Sequence, residues 1–330
     1  MIVERPLGTD APRVDFSLAT TRGDGSVAIL AGHHHERDLP PFWLEQPVWR
    51  TIRDHYRRWM QRESVLHEPI QSTWLEFDHD QLLSRCCLPS VFVGFRDTSL
   101  LGGQPLCGLA LNDFVAHSAR AEVAAAMQRI WPQLPTQSGL PFVGVMLPRD
   151  RSRVRLCIAL PLSELTGVAS RIGFPASRAL ERLVTFSSGH ADSVVLHLDV
   201  GARLGPTLGV ELKPVRRHGW SALLSDLAGE GLCTASEREA LLAFPGQSAL
   251  VRSGPEPTGA ADPVIGSPDR WRDVGRCLIV RSLNHIKLIC RPDQAVTAKA
   301  YMHIGYAWGK RVAPRPPCQG RRSAHGPPTV

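Results

Sequence analysis

Few side chains in this sequence stand at spacings that could do chemistry, and the clearest of them lie two residues apart. His285 and Lys287 flank Ile286, and Lys299 and Tyr301 flank Ala300. Successive residues of a strand point to opposite faces, so His285 and Lys287 leave one strand on the same side. A buried lysine is rare without a partner. Glu211, set inside an apolar strand, is the natural acid to meet these cations. A cationic floor of this kind suits capture of a carboxylate or an acidic peptide, and equally a structural ion pair holding the C-terminal hairpin. Glu76 and Asp78 alternate with Leu75 and Phe77. That places two carboxylates on one strand face about 7 Å apart, a separation usable for acid–base work. Asp78 and Asp199 are expected to hydrogen-bond turns.

Other candidates carry less. In His33-His34-His35-Glu36 only His33 and His35 share a strand face, and zinc needs three or four ligands; a polar surface loop is expected. Cys86-Cys87 near His79 shows neither a lowered thiol pKa nor a placed base. The eight cysteines lack C-x-x-C spacing, and Cys157, Cys277 and Cys290 sit in apolar runs as reduced core thiols. There is no G-x-S-x-G, phosphate-cradling loop or nucleotide fingerprint. No metal, no cofactor and no catalytic residue is expected from these motifs.

The chain has 330 residues, 43% hydrophobic and 21% charged, enough for a genuine core. Its net charge of +7 comes mostly from arginine and favours acidic partners. No dense basic run interleaved with aromatics argues for nucleic acid. No window approaches the roughly 20 apolar residues of a membrane span, and Met1–Pro6 lacks a signal-peptide core. The expected place is the cytoplasm, with no membrane partner.

The elements that must position these residues alternate between hairpins and helices. Trp49, Ile52, Tyr56 and Trp59 fall at helical spacing, giving an amphipathic helix up to Met60. Strands are read at 73–77, 90–95, 142–147, 154–160, 194–198 and 208–213. Helices are read at 119–131, 162–172 with Ser163 as N-cap, 176–186, 220–227, and 234–244, where Thr234 and Glu237 form a capping-box pattern. Residues 247–269 read as a loop. Residues 276–281 and 284–291 read as two strands across a tight Ser282-Leu283 turn, and 295–308 as a helix in preference to a strand.

Part of the chain also recurs. Val154-Arg155-Leu156 followed by Ile172-Gly173-Phe174 returns as Ile286-Lys287-Leu288 and Ile304-Gly305-Tyr306 at identical spacing, and Leu75-Glu76-Phe77-Asp78 resembles Leu196-His197-Leu198-Asp199. The expected fold is therefore α+β, in two pseudo-symmetric halves of antiparallel hairpins with covering helices, ββαββα repeated. The segments are 1–70 with its helix, a first half at 71–190, a second at 191–309, and a disordered basic Pro-rich tail at 310–330. Two open packed sheets are preferred to closure, since four such hairpin units would make a small, strained ring.

The order of several segments resembles a bacterial family encoded beside ribosomally made, modified peptides, whose best-known members are the peptide-binding proteins of the crocagin pathway. The residues that carry it are Trp74-Leu75-Glu76-Phe77-Asp78, Pro89-Ser90-Val91-Phe92, Leu208-Gly209-Val210-Glu211, Gly231-Leu232-Cys233, Ala240 to Gly246, Leu283 to Lys287 and Ala298-Lys299-Ala300-Tyr301. The resemblance implies a non-catalytic accessory role: binding a precursor peptide and presenting it to a modifying enzyme of the same pathway, one building a pyrroloindoline-type ring. Free sheet edges would accept the peptide as an added strand. His285, Lys287, Lys299, Tyr301, Arg155, Glu211 and the aromatic Trp74 are the candidate peptide-binding residues, and a homodimer is compatible with this reading. The alternative is a peptide-modifying enzyme, such as a prenyltransferase-like barrel whose polar tunnel is lined by Lys287, Lys299, Tyr301 and Arg155.

Overall fold

The computed structural model describes residues 1–9, 13–32, 45–82, 87–99, 108, 110–214, 219–249 and 277–308. Period-two alternation builds most of it. In β6 (Asp150–Pro161), Val154, Leu156 and Ile158 are buried on one face while Arg155 and Cys157 take the other. The same pattern runs through β3 (Ile70–Phe77), β4 (Ser90–Phe95), β5 (Gly139–Met146), β7 (Ser193–Val200) and β8 (Leu204–Leu212). A first hairpin is made by β1 (Ile2–Pro6) and β2 (Asp15–Thr21). After the short β9 (Gly246–Ala249), a last hairpin is made by the long strands β10 (Cys277–Cys290) and β11 (Thr297–Trp308).

Ten strands run in the order β11-β1-β2-β3-β4-β5-β6-β7-β8-β10, and β10 pairs back to β11. The ring is closed and antiparallel. The α+β class, its antiparallel hairpins and its covering helices are as the sequence reads. The preference for two open sheets is corrected. The sequence count of four hairpins missed the weakly patterned β1–β2 pair, and five hairpins close without the strain of four. Every ring strand has a neighbour on both sides, so the free edge expected to receive a peptide strand is absent from the ring.

Among the described residues, seven helices of two turns or more accompany the strands: α1 (Gly25–Ala31), α2 (Pro47–Met60), α3 (Arg120–Ile130), α4 (Leu165–Arg171), α5 (Arg178–Ser188), α6 (Gly219–Gly229) and α7 (Ala235–Ala243). Helix α2 shows how they seat. Trp49, Ile52, Tyr56 and Trp59 form its fully buried stripe. Trp59 Nε1 donates to the Ile70 carbonyl at 3.1 Å, and the Tyr56 hydroxyl meets Thr20 Oγ1 at 2.8 Å. The outward faces of β2 and β3 thus carry α2. Each fully buried aliphatic side chain on such a face contributes about 1.5–3 kcal/mol. Thr234 and Glu237 complete the capping box of α7, with both reciprocal bonds formed. The apolar core therefore lies between ring and helices, outside the ring.

Three local readings are corrected. Ser282 and Leu283 lie inside the continuous strand β10 and make no turn. Residues 297–308 are strand, because pairing with β1 (Glu4 opposite Tyr301) outweighs the helix propensity of three alanines. Ser163 sits within a 3₁₀ turn, Leu162–Glu164, and caps nothing through its side chain. The repeat is partly structural: Glu76-Phe77 ends β3, with Asp78 just past it, and His197-Leu198-Asp199 lies near the end of β7. By contrast, Ile172-Gly173-Phe174 ends a helix while Ile304-Gly305-Tyr306 lies in β11. The His33–Glu36 run, Cys86, most of the 247–269 loop and the 310–330 tail lie outside the described residues. A smaller unit, Gln247–Val280 with Gly305–Val330, is described only at its strand ends. No helix among the described residues is long and apolar enough to cross a membrane.

Candidate active site

With the apolar alternates turned outward, the polar and aromatic alternates of each strand face the lumen. They line a chamber of about 270 Å³, at the lower edge of the range for small-molecule sites. Strand β3 supplies Trp74 and Glu76, β4 Phe92, β5 Phe142, β6 Arg155 and Cys157, β7 His197, β10 His285 and Lys287, and β11 Tyr301. Glu211 lines it from β8, and Lys213 from just past that strand's end.

One wall is aromatic and rests on glycine. Phe92 lies opposite Gly144, and Phe142 opposite Gly94, in the β4–β5 register. A Cβ on Gly144 would meet Phe92 Cδ1 at 2.4 Å, and one on Gly94 would meet Phe142 Cε1 at 2.8 Å. Each ring therefore lies flat over a bare backbone instead of projecting into the lumen. Trp74 packs edge-on against Phe142, with centroids 6.1 Å apart. Gly144→Ala is expected to swing Phe92 inward and fill the chamber. Ligand affinity should then fall about tenfold or more while thermal stability changes by at most about 1–3 kcal/mol. A titration that gives wild-type affinity for the variant would refute this account of the wall.

Across the ring lies a chain of charged and hydrogen-bonded groups. Lys287 Nζ donates to His197 Nδ1 at 2.9 Å. The proton of the neutral imidazole is thereby placed on Nε2, which donates to Glu211 Oε1 at 2.6 Å. Burial, then the Lys287 charge, lowers the His197 pKa to about 4. His285 Nε2 stands 3.4 Å from the same Glu211 oxygen, and its ring stacks on Tyr301 at a 4.1 Å centroid separation. Burial would raise the Glu211 pKa, but the positive and hydrogen-bonding groups at His285, His197 and Lys287 outweigh it and hold the carboxylate ionised. Tyr301 hydrogen-bonds Glu4, which pairs with Lys299.

Glu76 differs from its neighbours. Burial, then the charge of Glu4, pushes its pKa up to about 7, against the pull of Arg155 and Arg149. Arg149 spends its best contacts on Asp78, with Nε donating at 2.8 Å, and reaches Glu76 only at 3.7 Å. Arg155 grips Asp199 through Nε and Nη2 at 2.7 and 2.9 Å. Asp78 therefore bonds the β5–β6 turn through Arg149, as expected, whereas Asp199 orients the lumen residue Arg155 in place of a turn.

The structure brings together all seven residues singled out from the sequence. Trp74, Arg155, Glu211, His285, Lys287 and Tyr301 line the chamber, and Lys299 stands beside it on Glu4. Glu211 is the internal acid of the cationic strand, as read. Sequence reasoning missed Glu4 and gave His197 no role of its own. It also placed Cys157 in the core, although Cys157 faces the lumen with its Sγ 3.6 Å from His197 Nδ1. The period-two pattern of β6 and β7 held that signal.

No protein-family model and no curated protein matches the chain. Among solved structures it is similar to a 6-dimethylallyl tryptophan synthase, with a TM-score of 0.51 and 14% identity over 92% of this chain and 80% of that one. The chain shares that fold. A 5-dimethylallyltryptophan synthase from Streptomyces coelicolor is also similar, with a TM-score of 0.48 and 14% identity over 92% and 79% of the two chains. The expectation of a non-catalytic protein is corrected here, because the solved structure that shares this barrel is a synthase.

Proposed function

We propose that this protein is an enzyme that transfers a short allylic group from its diphosphate to an aromatic acceptor inside the ring. The observation that carries the reading is Glu76. It is a buried carboxyl with a pKa of about 7, beside Trp74 and near the aromatic wall, and a base works best when its pKa lies near the operating pH. In the step, the allylic C–O bond breaks and its electron pair leaves with the diphosphate. The allylic carbon then bonds to a ring carbon of the acceptor, and the displaced ring proton passes to Glu76. Arg155, with donors beyond the two on Asp199, and Lys213 offer positive charge to the leaving anion. Phe92, Phe142, Trp74 and Tyr301 surround the passing cation with π faces, and the closed wall limits its capture by water.

The similar synthase has dimethylallyl tryptophan in its name, so the first assay pairs dimethylallyl diphosphate with tryptophan, and a second replaces the amino acid by a tryptophan-containing peptide. The expected result is a product heavier by one isoprene unit, with release of one diphosphate. If neither acceptor gains mass and no diphosphate is released, the reading is wrong.

A further inference from the structure

The protein uses lysine sparingly. Of its 38 Lys and Arg residues only four are lysine: Lys213, Lys287, Lys299 and Lys310. Lys310 lies outside the described residues, Lys213 and Lys287 line the chamber, and Lys299 pairs with Glu4 beside it. Arginine serves wherever a permanent charge is wanted. Of the three described lysines, Lys287 is the buried one, and its amine, unlike a guanidinium, can lose its proton.

Lys287 is also held in a set conformation. Its stem crosses the lumen face of β8 over Gly209, where an added Cβ would lie 2.8 Å from Lys287 Cε. Gly209 is opposite His197 in the β7–β8 register, so the gap lets the lysine of β10 reach the imidazole of β7. His197 is itself fixed by Glu211. Lys287, His197 and Glu211 thus form a nucleophile, an orienting base and an anchoring acid within hydrogen-bond reach of one another.

We propose that Lys287 is a nucleophilic amine that captures a small aldehyde or ketone in the chamber as an imine. The neutral amine keeps one N–H on His197 Nδ1 and turns its lone pair to the carbonyl carbon. The C–N bond forms as the C=O π pair moves to oxygen. That oxygen takes a proton, and the carbinolamine loses water to give the C=N bond, with no change of oxidation state. The surroundings favour the neutral amine: burial and the Arg155 charge on β6 lower the Lys287 pKa, against Glu211 on β8 and Glu4 on β1. Cys157 is no rival nucleophile, since burial and Glu211 push its thiol up to about 12. This inference does not depend on allylic transfer.

The test treats the full chain with benzaldehyde and sodium cyanoborohydride over a pH series, with N-acetyl-lysine in the same tube. The hydride reduces the imine to a benzylamine and leaves any thiol adduct untrapped. Peptide mapping should place the first label on Lys287, at least about tenfold faster than on the other three lysines, with half-maximal rate at lower pH than for N-acetyl-lysine. His197→Gln should slow that labelling and move its pH profile downward, since the ammonium loses the imidazole acceptor that favours its charged form, and Lys287→Arg should remove the label from a folded protein. Equal labelling of all four lysines, an unlabelled Lys287, or a Lys287 profile matching that of N-acetyl-lysine would overturn the proposal. An unchanged rate and profile in His197→Gln would remove His197 from its positioning role.

Discussion

Glu76→Gln is expected to lower product formation by about 10²–10⁴-fold while leaving the ring folded, because the amide cannot accept the proton of the acceptor ring. The same change should stabilise the protein above neutrality. In the folded state burial holds the carboxyl protonated up to about pH 7, against an ordinary value of 4.5. Between those values the folded state binds more protons than the unfolded one, so stability falls as pH rises through the window and the loss is complete above it. A rise from 4.5 to about 7 corresponds to about 3 kcal/mol. Glu76→Gln should recover up to about that much at pH 8 and little at pH 4. Denaturant titrations at the two pH values, beside turnover assays, check both halves. A variant that remains active, or is destabilised equally at both pH values, would contradict the role given to Glu76. Wild-type activity should correspondingly rise with pH through about 7 as Glu76 ionises.

Glu211→Ala should be strongly destabilising, costing about 1–3 kcal/mol, because it leaves His197 Nε2–H without an acceptor and removes the negative charge that faces His285 and Lys287. Its folded pKa is depressed, so its contribution is present above the ordinary carboxylate range and is lost as pH falls below it. The wild-type protein should therefore lose stability on acidification below about pH 4.5, and the variant should show that loss in weaker form. Urea unfolding measured from pH 7 downward gives both numbers. A cost under about 1 kcal/mol would mean that the three groups find other partners.

The sequence made the inner face legible strand by strand. Leu75-Glu76-Phe77-Asp78 announces its own two sides, and the same rule found Arg155, Glu211, His285 and Lys287. Each of the seven candidate binding residues came to the chamber or its margin. Closure was not legible, because the contact that makes it, β1 against β11, joins segments from opposite ends of the chain and leaves no local pattern. Glu4 was missed for the same reason, since its partner Lys299 lies 295 residues away. The alanines of 295–300 and the polar Ser282 misled local reading, where pairing with both ring neighbours decided the outcome. Once two carboxylates and two lysines face one enclosed space, a closed vessel becomes the economical reading of what looked like a cationic floor.

A seam made from the first and last strands also sets a timetable for synthesis. At about 5–20 residues per second, Glu4 emerges roughly 15–60 s before Lys299 exists to meet it. Through that interval the nascent sheet has two unpaired margins and a half-built polar interior, the conditions under which chains associate wrongly. Late, long-range pairing also slows folding once translation ends. Good yield should therefore depend on slow translation or on a chaperone that shields the early hairpins, and any chain ending before β11 should collect in the insoluble fraction.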